Sequence, residues 1–130
     1  MPDLIEVSAS NLSGEALGWA VGTAEGLDVY LEPPGYNGVP WRVFARYQCQ
    51  AIEYAKRFNP WEDWALAGAL VDKYRVCLDF KCGLWSALGE EWVAGCHTPP
   101  IAICRAVVTA KLGDTVQVPK ELIGKEAPDD

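Results

Sequence analysis

Histidine is almost missing from this sequence: His97 stands alone against eighteen acids and eleven bases. One imidazole excludes a His-rich metal centre and leaves histidine-dependent nucleophilic catalysis a single candidate base. Basic residues are the second shortage. With a formal net charge of -7 and a pI near 4.6, the surface repels phosphate backbones unless its bases gather on one face, so nucleic-acid binding is disfavoured. Long apolar runs are the third. The longest nearly continuous one, Trp64 to Val71, falls far short of the ~20 residues that span a bilayer. The opening Met1-Pro2-Asp3-Leu4-Ile5-Glu6 has no cationic segment followed by an apolar run, so no secretory signal is expected and the cytoplasm is the expected compartment. The twelve glycines match neither a phosphate-cradling loop nor a dinucleotide fingerprint, and no cofactor is expected.

What is present is material for a core. The chain has 130 residues, 50% of them hydrophobic, with six Trp, five Tyr and three Phe. At this size roughly 65–70% of the unfolded surface is buried on folding, enough for one domain without staples. A single domain over 1–123 and a solvated acidic tail over 124–130 are the expected organisation. The five cysteines, Cys49, Cys77, Cys82, Cys96 and Cys104, are odd in number in a chain without an export signal and read as free thiols.

Leu4-Ile5-Glu6-Val7 predicts a short strand that ends in the backbone-competing cluster Ser8-Ala9-Ser10-Asn11. Ser13 is a candidate N-cap for a helix over 14–25, with Leu17, Ala20, Val21 and Ala24 at helical spacing and Gly26 at the left-handed stop. Gly14, Gly18, Gly22 and Gly26 recur every four residues, which suits close approach of a neighbouring element. A strand over 27–31 precedes a Pro/Gly-rich loop over 32–38. From Trp41 to Phe58 the apolar residues fit a helical stripe, while Trp41-Arg42-Val43-Phe44-Ala45 fits an edge strand equally well.

Asn59-Pro60-Trp61-Glu62 carries an N-cap side chain, a proline for the first helical position and a carboxylate three residues on. It predicts a helix from there to about Lys73. Apolar runs over 76–80, 84–88 and 91–95 predict three antiparallel strands. Thr98-Pro99-Pro100 opens a last helix with Ile101, Cys104, Val108 and Leu112 on its buried stripe and Gly113 as its stop, and Thr115–Pro119 is a final strand. The order predicts an α+β fold, helices packed on antiparallel sheet, with helix, three strands and helix in the C-terminal half.

These segments carry a resemblance. Leu12-Ser13-Gly14-Glu15-Ala16-Leu17-Gly18-Trp19-Ala20-Val21, Phe58-Asn59-Pro60-Trp61-Glu62-Asp63-Trp64-Ala65 with Gly68, and Thr98-Pro99-Pro100-Ile101-Ala102-Ile103-Cys104-Arg105-Ala106 through Val118-Pro119-Lys120-Glu121-Leu122 resemble the NinX-like family of bacteriophage proteins. More loosely, the chain is similar to the phage ABA-sandwich domain. The resemblance implies a phage or prophage origin and an α/β/α layering, and it brings no activity with it. The middle motif departs from the family pattern. Trp61-Glu62 precedes Asp63-Trp64, and Ala67-Gly68-Ala69 follows, where the family favours a small hydroxyl residue before and two glycines with a proline after; a glycine-built loop there becomes helix here.

Candidate chemistry is sparse. Cys96 and His97 are adjacent, and neighbours on a strand point opposite ways, so a turn residue beside a buried thiol explains them better than a nucleophile and its base. Cys82, Cys96, His97 and Cys104 offer zinc-ligand types without the paired two-to-four spacing; Cys77 and Cys82 are five apart. Asp63 with Glu62 reads as helix capping, and Glu90-Glu91 as a solvated hairpin tip. Arg42, Arg46, Lys56 and Arg57 form at most a modest basic patch. Helix, three strands and helix is also the order of double-stranded RNA-binding domains, but their last helix opens with bases where this one opens Thr98-Pro99-Pro100-Ile101.

The excess lies in tryptophan: Trp61, Trp64, Trp85 and Trp92. A domain of this size cannot bury six indoles with every N–H satisfied, so one or two are expected at the surface as binding anchors, the competing account being that they fill the sheet–helix interface. The expectation is a non-enzymatic module that binds a host or phage protein through Trp61, Asp63, Trp64 and Trp85. A small-ligand site or small enzyme using Asp63 and a cysteine in a cleft is the alternative. An acidic nucleic-acid mimic is a weaker one, and requires carboxylates arrayed along one edge.

Overall fold

The computed structural model describes residues 3–35, 40–49, 52–81, 83–88, 93–96 and 98–123. Along them run β1 (Leu4–Ser8), a 3-10 turn (Ala9–Asn11), α1 (Gly14–Ala24), β2 (Asp28–Glu32), β3 (Arg42–Cys49) and β4 (Ile52–Arg57). There follow α2 (Trp64–Tyr74), β5 (Cys77–Lys81), β6 (Leu84–Leu88), β7 (Val93–Cys96), α3 (Pro99–Leu112), β8 (Thr115–Pro119) and the single-turn α4 (Lys120–Ile123). The α+β class holds. The strands divide into three small antiparallel sheets, β1-β8, β2-β3-β4 and β5-β6-β7.

Helices α1 and α3 pack on each other, α1 carries β2 and β3, and α3 carries β6 and β7. The core follows the sequence periodicity. Leu17, Val21, Ile103, Val107 and Val108 are fully buried on the helices, and Val43, Ala45, Ala87 and Val118 on the strands. Cys104 is buried among them, as a cysteine within an apolar stripe is by default. The expected α3 agrees with the observed one at both ends: Pro100 follows Pro99 in the first turn, and Gly113 caps the end through its N–H to the Thr109 carbonyl at 3.0 Å.

The glycine series of α1 divides by role. At Gly26 the backbone turns left-handed with φ 74°, the conformation a helix stop requires. At Gly22 a Cβ would run into the Val29 side chain of β2 and meet the Phe58 ring at 3.4 Å; at Gly18 it would strike the Trp61 ring. Those two glycines let β2 and the segment after β4 lie directly on the helix.

Two local expectations are corrected. Of the two readings of the segment after Trp41 the strand is realised, over residues 42–49 and 52–57, with Phe44 opposite Arg57 and Tyr47 opposite Tyr54. Strand β3 also pairs with β2 and so is a central strand, not an edge. Their apolar residues serve an alternating pattern: Val43 and Ala45 are fully buried while Arg46 between β2 and β4 faces out and pairs with Asp28 at 3.2 Å. The second correction is the start of α2. It begins at Trp64, not at Pro60, because Asn59 closes a turn instead of capping: its carbonyl accepts from the Glu62 and Asp63 N–H groups at 3.1 and 2.9 Å. Residues 36–38 of the expected loop, the tip at Glu90-Glu91 and the tail over 124–130 lie outside the described residues.

Candidate functional site

Asp63 is positioned by the turn before it. Phe58, 4% exposed, donates its N–H to the Val43 carbonyl at 3.0 Å, which ties the end of β4 to β3. Pro60 is fully buried, and the Asn59 amide donates to Glu62 Oε2 at 3.0 Å. The chain reaches α2 with Asp63 at the N-cap, where Oδ1 accepts from Ala65 N at 2.9 Å and Leu66 N at 3.4 Å. These are the otherwise unpaired N–H groups of a helix start, and a carboxylate there also suits the helix dipole. Asp63 is therefore committed to structure.

Trp61 and Trp64 sit on either side of that cap with different environments. Trp61 is half-buried; its ring lies on Gly18 of α1, with the Arg57 guanidinium 5.9 Å from the ring centroid. Trp64, in the first turn of α2, is 58% exposed. Because α2 packs on α3, both indoles face the start of α3. Together with Glu62, Thr98, Pro99, Pro100 and Ile101 they line an open groove of about 470 Å³. Its walls are indole, proline rings and an isoleucine. Besides the two indole N–H groups, Thr98 and Glu62 are the polar side chains among the described lining residues.

Trp85 does not line this groove. It lies on β6, opposite Phe80 of β5 and Cys96 of β7, and its ring is tilted on Phe80 with centroids 5.0 Å apart. Of the four expected site residues, the fold thus brings Trp61, Asp63 and Trp64 together and leaves Trp85 on a separate sheet. The residues missed from sequence are Thr98, Pro99, Pro100 and Ile101. The Thr-Pro-Pro run was visible as a helix start, but nothing in it signals that another helix delivers two tryptophans beside it.

The basic residues of the β3–β4 hairpin are largely engaged. Arg46 pairs with Asp28 and stacks 4.0 Å over the Tyr30 ring, Arg57 pairs with Glu15, and Arg42 reaches the Pro33 carbonyl at 3.5 Å and lies 5.6 Å from the Phe44 ring centroid. Glu15 also accepts from the Val43 N–H at 2.8 Å, so it ties α1 to the hairpin. Burial pushes the Cys104 thiol up to about 12, which keeps it protonated and unreactive in the folded protein. Cys77 is free and exposed on β5. Cys82 and His97 lie outside the described residues, as does Trp92. Among the described residues no group of three or more His, Cys, Asp or Glu is placed to hold a metal ion, and no helix is long and apolar enough to cross a membrane.

Fold and groove together define a small α+β domain with an open, mainly apolar groove between the starts of two helices. The sequence pattern of the bacteriophage P22 NinX family matches residues 8–111, most of the chain, and takes in Trp61, Asp63, Trp64 and the whole start of α3. The chain belongs to this NinX family of bacteriophage proteins. No curated protein matches it.

Proposed function

We propose that this phage protein is a non-enzymatic binding module acting in the host cytoplasm, and that the groove between α2 and α3 receives an apolar side chain of a host or phage protein. The observation that carries the reading is Trp64: an indole held 58% exposed at a helix start, beside a second indole and two prolines. Solvent-facing indoles in a concave apolar setting are the usual anchors of protein interfaces. Glu62 at the rim and the chain's net charge of -7 favour a partner whose apolar anchor is flanked by Lys or Arg.

The reading predicts that tagged protein retains a stoichiometric partner from host lysate and that Trp64→Ala abolishes retention with an unchanged circular-dichroism spectrum and melting curve. Undiminished retention by Trp64→Ala would sink the groove as the docking surface. A groove of about 470 Å³ also falls within the size range of small-molecule pockets. Absence of any partner at low and moderate salt moves the weight to that second reading. Catalysis in the groove is disfavoured by its lining: Asp63 is occupied with backbone N–H groups, and no cysteine is among the described groove residues. The acidic mimic is disfavoured by dispersal, since Asp3, Glu15, Glu25 and Asp28 are each paired with a base on a different part of the fold.

A further inference from the structure

Among the described residues, strand β5 is paired on one side only: it is the edge of β5-β6-β7, and all five of its residues are exposed, while α3 packs on β6 and β7. Phe80 is 55% exposed and Leu78 37%, on the sheet face that also carries Trp85 and Ala87. Asp79 and Lys81 lie on the opposite face, and neither has an ion pair among the described residues. An open edge bearing apolar side chains is a template for another strand.

The edge has its backbone groups correctly disposed for this. Only two residues separate Lys81 from its partner Leu84, and Gly83 there has φ 80°, as a tight hairpin turn requires. In a hairpin with a two-residue connection the closing pair, here Lys81 and Leu84, is a hydrogen-bonded one. Alternation along an antiparallel ladder then directs the N–H and C=O groups of Leu78 and Phe80 to the open side.

We propose that β5 pairs antiparallel with β5 of a second copy of this chain, about a two-fold axis at Phe80. The sequence Asp79-Phe80-Lys81 is self-complementary in that register. Phe80 meets its counterpart on one face, and on the other Asp79 of each copy faces Lys81 of its mate, so two opposite-charge pairs form. Centring one residue earlier sets Asp79 against Asp79, which like-charge repulsion disfavours. The result is a continuous six-stranded sheet with an isologous interface. In this register residues 79–81 of each strand overlap, so the interface is smaller than a standard specific one, and the dimer is weak and forms at high protein concentration. This interface is separate from the α2–α3 groove and does not rest on the binding role argued for it.

The test is sedimentation equilibrium of the full chain up to ~1 mM, with single variants Asp79→Lys and Lys81→Asp. Wild type is expected to dimerise. Each single variant sets two like charges against each other in both pairs and is expected to weaken dimerisation by about tenfold or more. Mixing the two variants restores both pairs, so an equimolar mixture is expected to dimerise like wild type. All four side chains involved are exposed, and circular dichroism checks that each variant folds. A wild type that stays monomeric throughout the range overturns the proposal. Dimerisation unaffected by either charge reversal, or abolished by Trp64→Ala instead, overturns it equally.

Discussion

The contact between Trp61 and α1 can be tested by giving one helix a methyl group it has no room for. In a helix interior, Gly→Ala gains about 1 kcal/mol from lower chain entropy and higher helix propensity. At Gly68, mid-way along α2, a Cβ would meet nothing within 4 Å, so Gly68→Ala should realise that gain in full. At Gly18 the same Cβ would collide with the Trp61 ring and lie 3.1 Å from the Phe58 carbonyl oxygen. The indole is a rigid ring and the oxygen is backbone, so neither yields cheaply. Overpacking of this kind costs about 1–3 kcal/mol, which exceeds the propensity gain.

Gly18→Ala is therefore expected to lose about 1 kcal/mol net, a separation of about 2 kcal/mol from Gly68→Ala. For a domain of this length each kcal/mol moves the melting midpoint by about 4 °C. Urea unfolding and thermal melts followed by circular dichroism read both numbers. Adding Trp61→Phe removes the colliding part of the indole, so the Gly18→Ala/Trp61→Phe double variant should be more stable than the sum of its single changes. Gly18→Ala as stabilising as Gly68→Ala would refute the placement of Trp61 on α1, and with it the wall it forms in the groove.

Two further substitutions follow from the hydrogen bonding and titration of the fold. Asp63→Ala removes the cap on Ala65 and Leu66 and should cost about 1 kcal/mol in urea unfolding, with Asp63→Asn retaining most of it. At alkaline pH, Cys104 and Tyr74 both stay protonated in the folded protein until about 12, Cys104 through burial, and Tyr74 through burial and its hydrogen bond to Glu25. In the unfolded chain the same groups release protons from their ordinary 9.0 and 10.0. The unfolded state then holds fewer protons, so stability is complete below about pH 9 and falls as pH rises toward 12. Melting midpoints should drop through that window, and Tyr74→Phe should flatten the slope above pH 10; a midpoint constant from pH 8 to pH 11 would contradict the burial of both groups.

Local chemistry wrote some of these elements plainly. Helix α3 was legible because Pro99 and Gly113 act at its two ends without outside help, although the Thr98 side chain makes no cap bond, and β8 because Val116 and Val118 alternate with exposed Thr115 and Gln117. The start of α2 misled because Asn59 and Asp63 are both capping residues four positions apart. The competition is decided by tertiary contact: Trp61 must reach Gly18, which takes Pro60 and Trp61 out of helical geometry and leaves the cap to Asp63. Residues 42–49 and 52–57 read two ways because aromatic and basic residues satisfy period 2 and period 3.6 together, and only pairing with β2 selects the strand. The groove was half legible. Trp61, Glu62 and Trp64 lie within one short segment, but the α3 side of the groove comes from helix packing between distant segments, which carries no local signature.

One helix sets both exposed surfaces. The buried stripe of α3, from Ala102 through Val108, fixes β6 and β7 against it and so decides that β5 is the strand left open. The first turn of the same helix, Pro99 to Ile101, supplies a wall of the groove. Proline at both opening positions stiffens that wall and removes two N–H donors from it, which makes the surface more apolar than a helix start ordinarily is. A core substitution in α3 would disturb groove and edge together and could assign neither. Surface substitutions can: Trp64 acts on the groove without touching β5, and Asp79 with Lys81 acts on the edge without touching the groove. Loss of partner retention and loss of self-association are therefore separable by single residues, and a variant that loses one while keeping the other identifies which surface the protein uses for which contact.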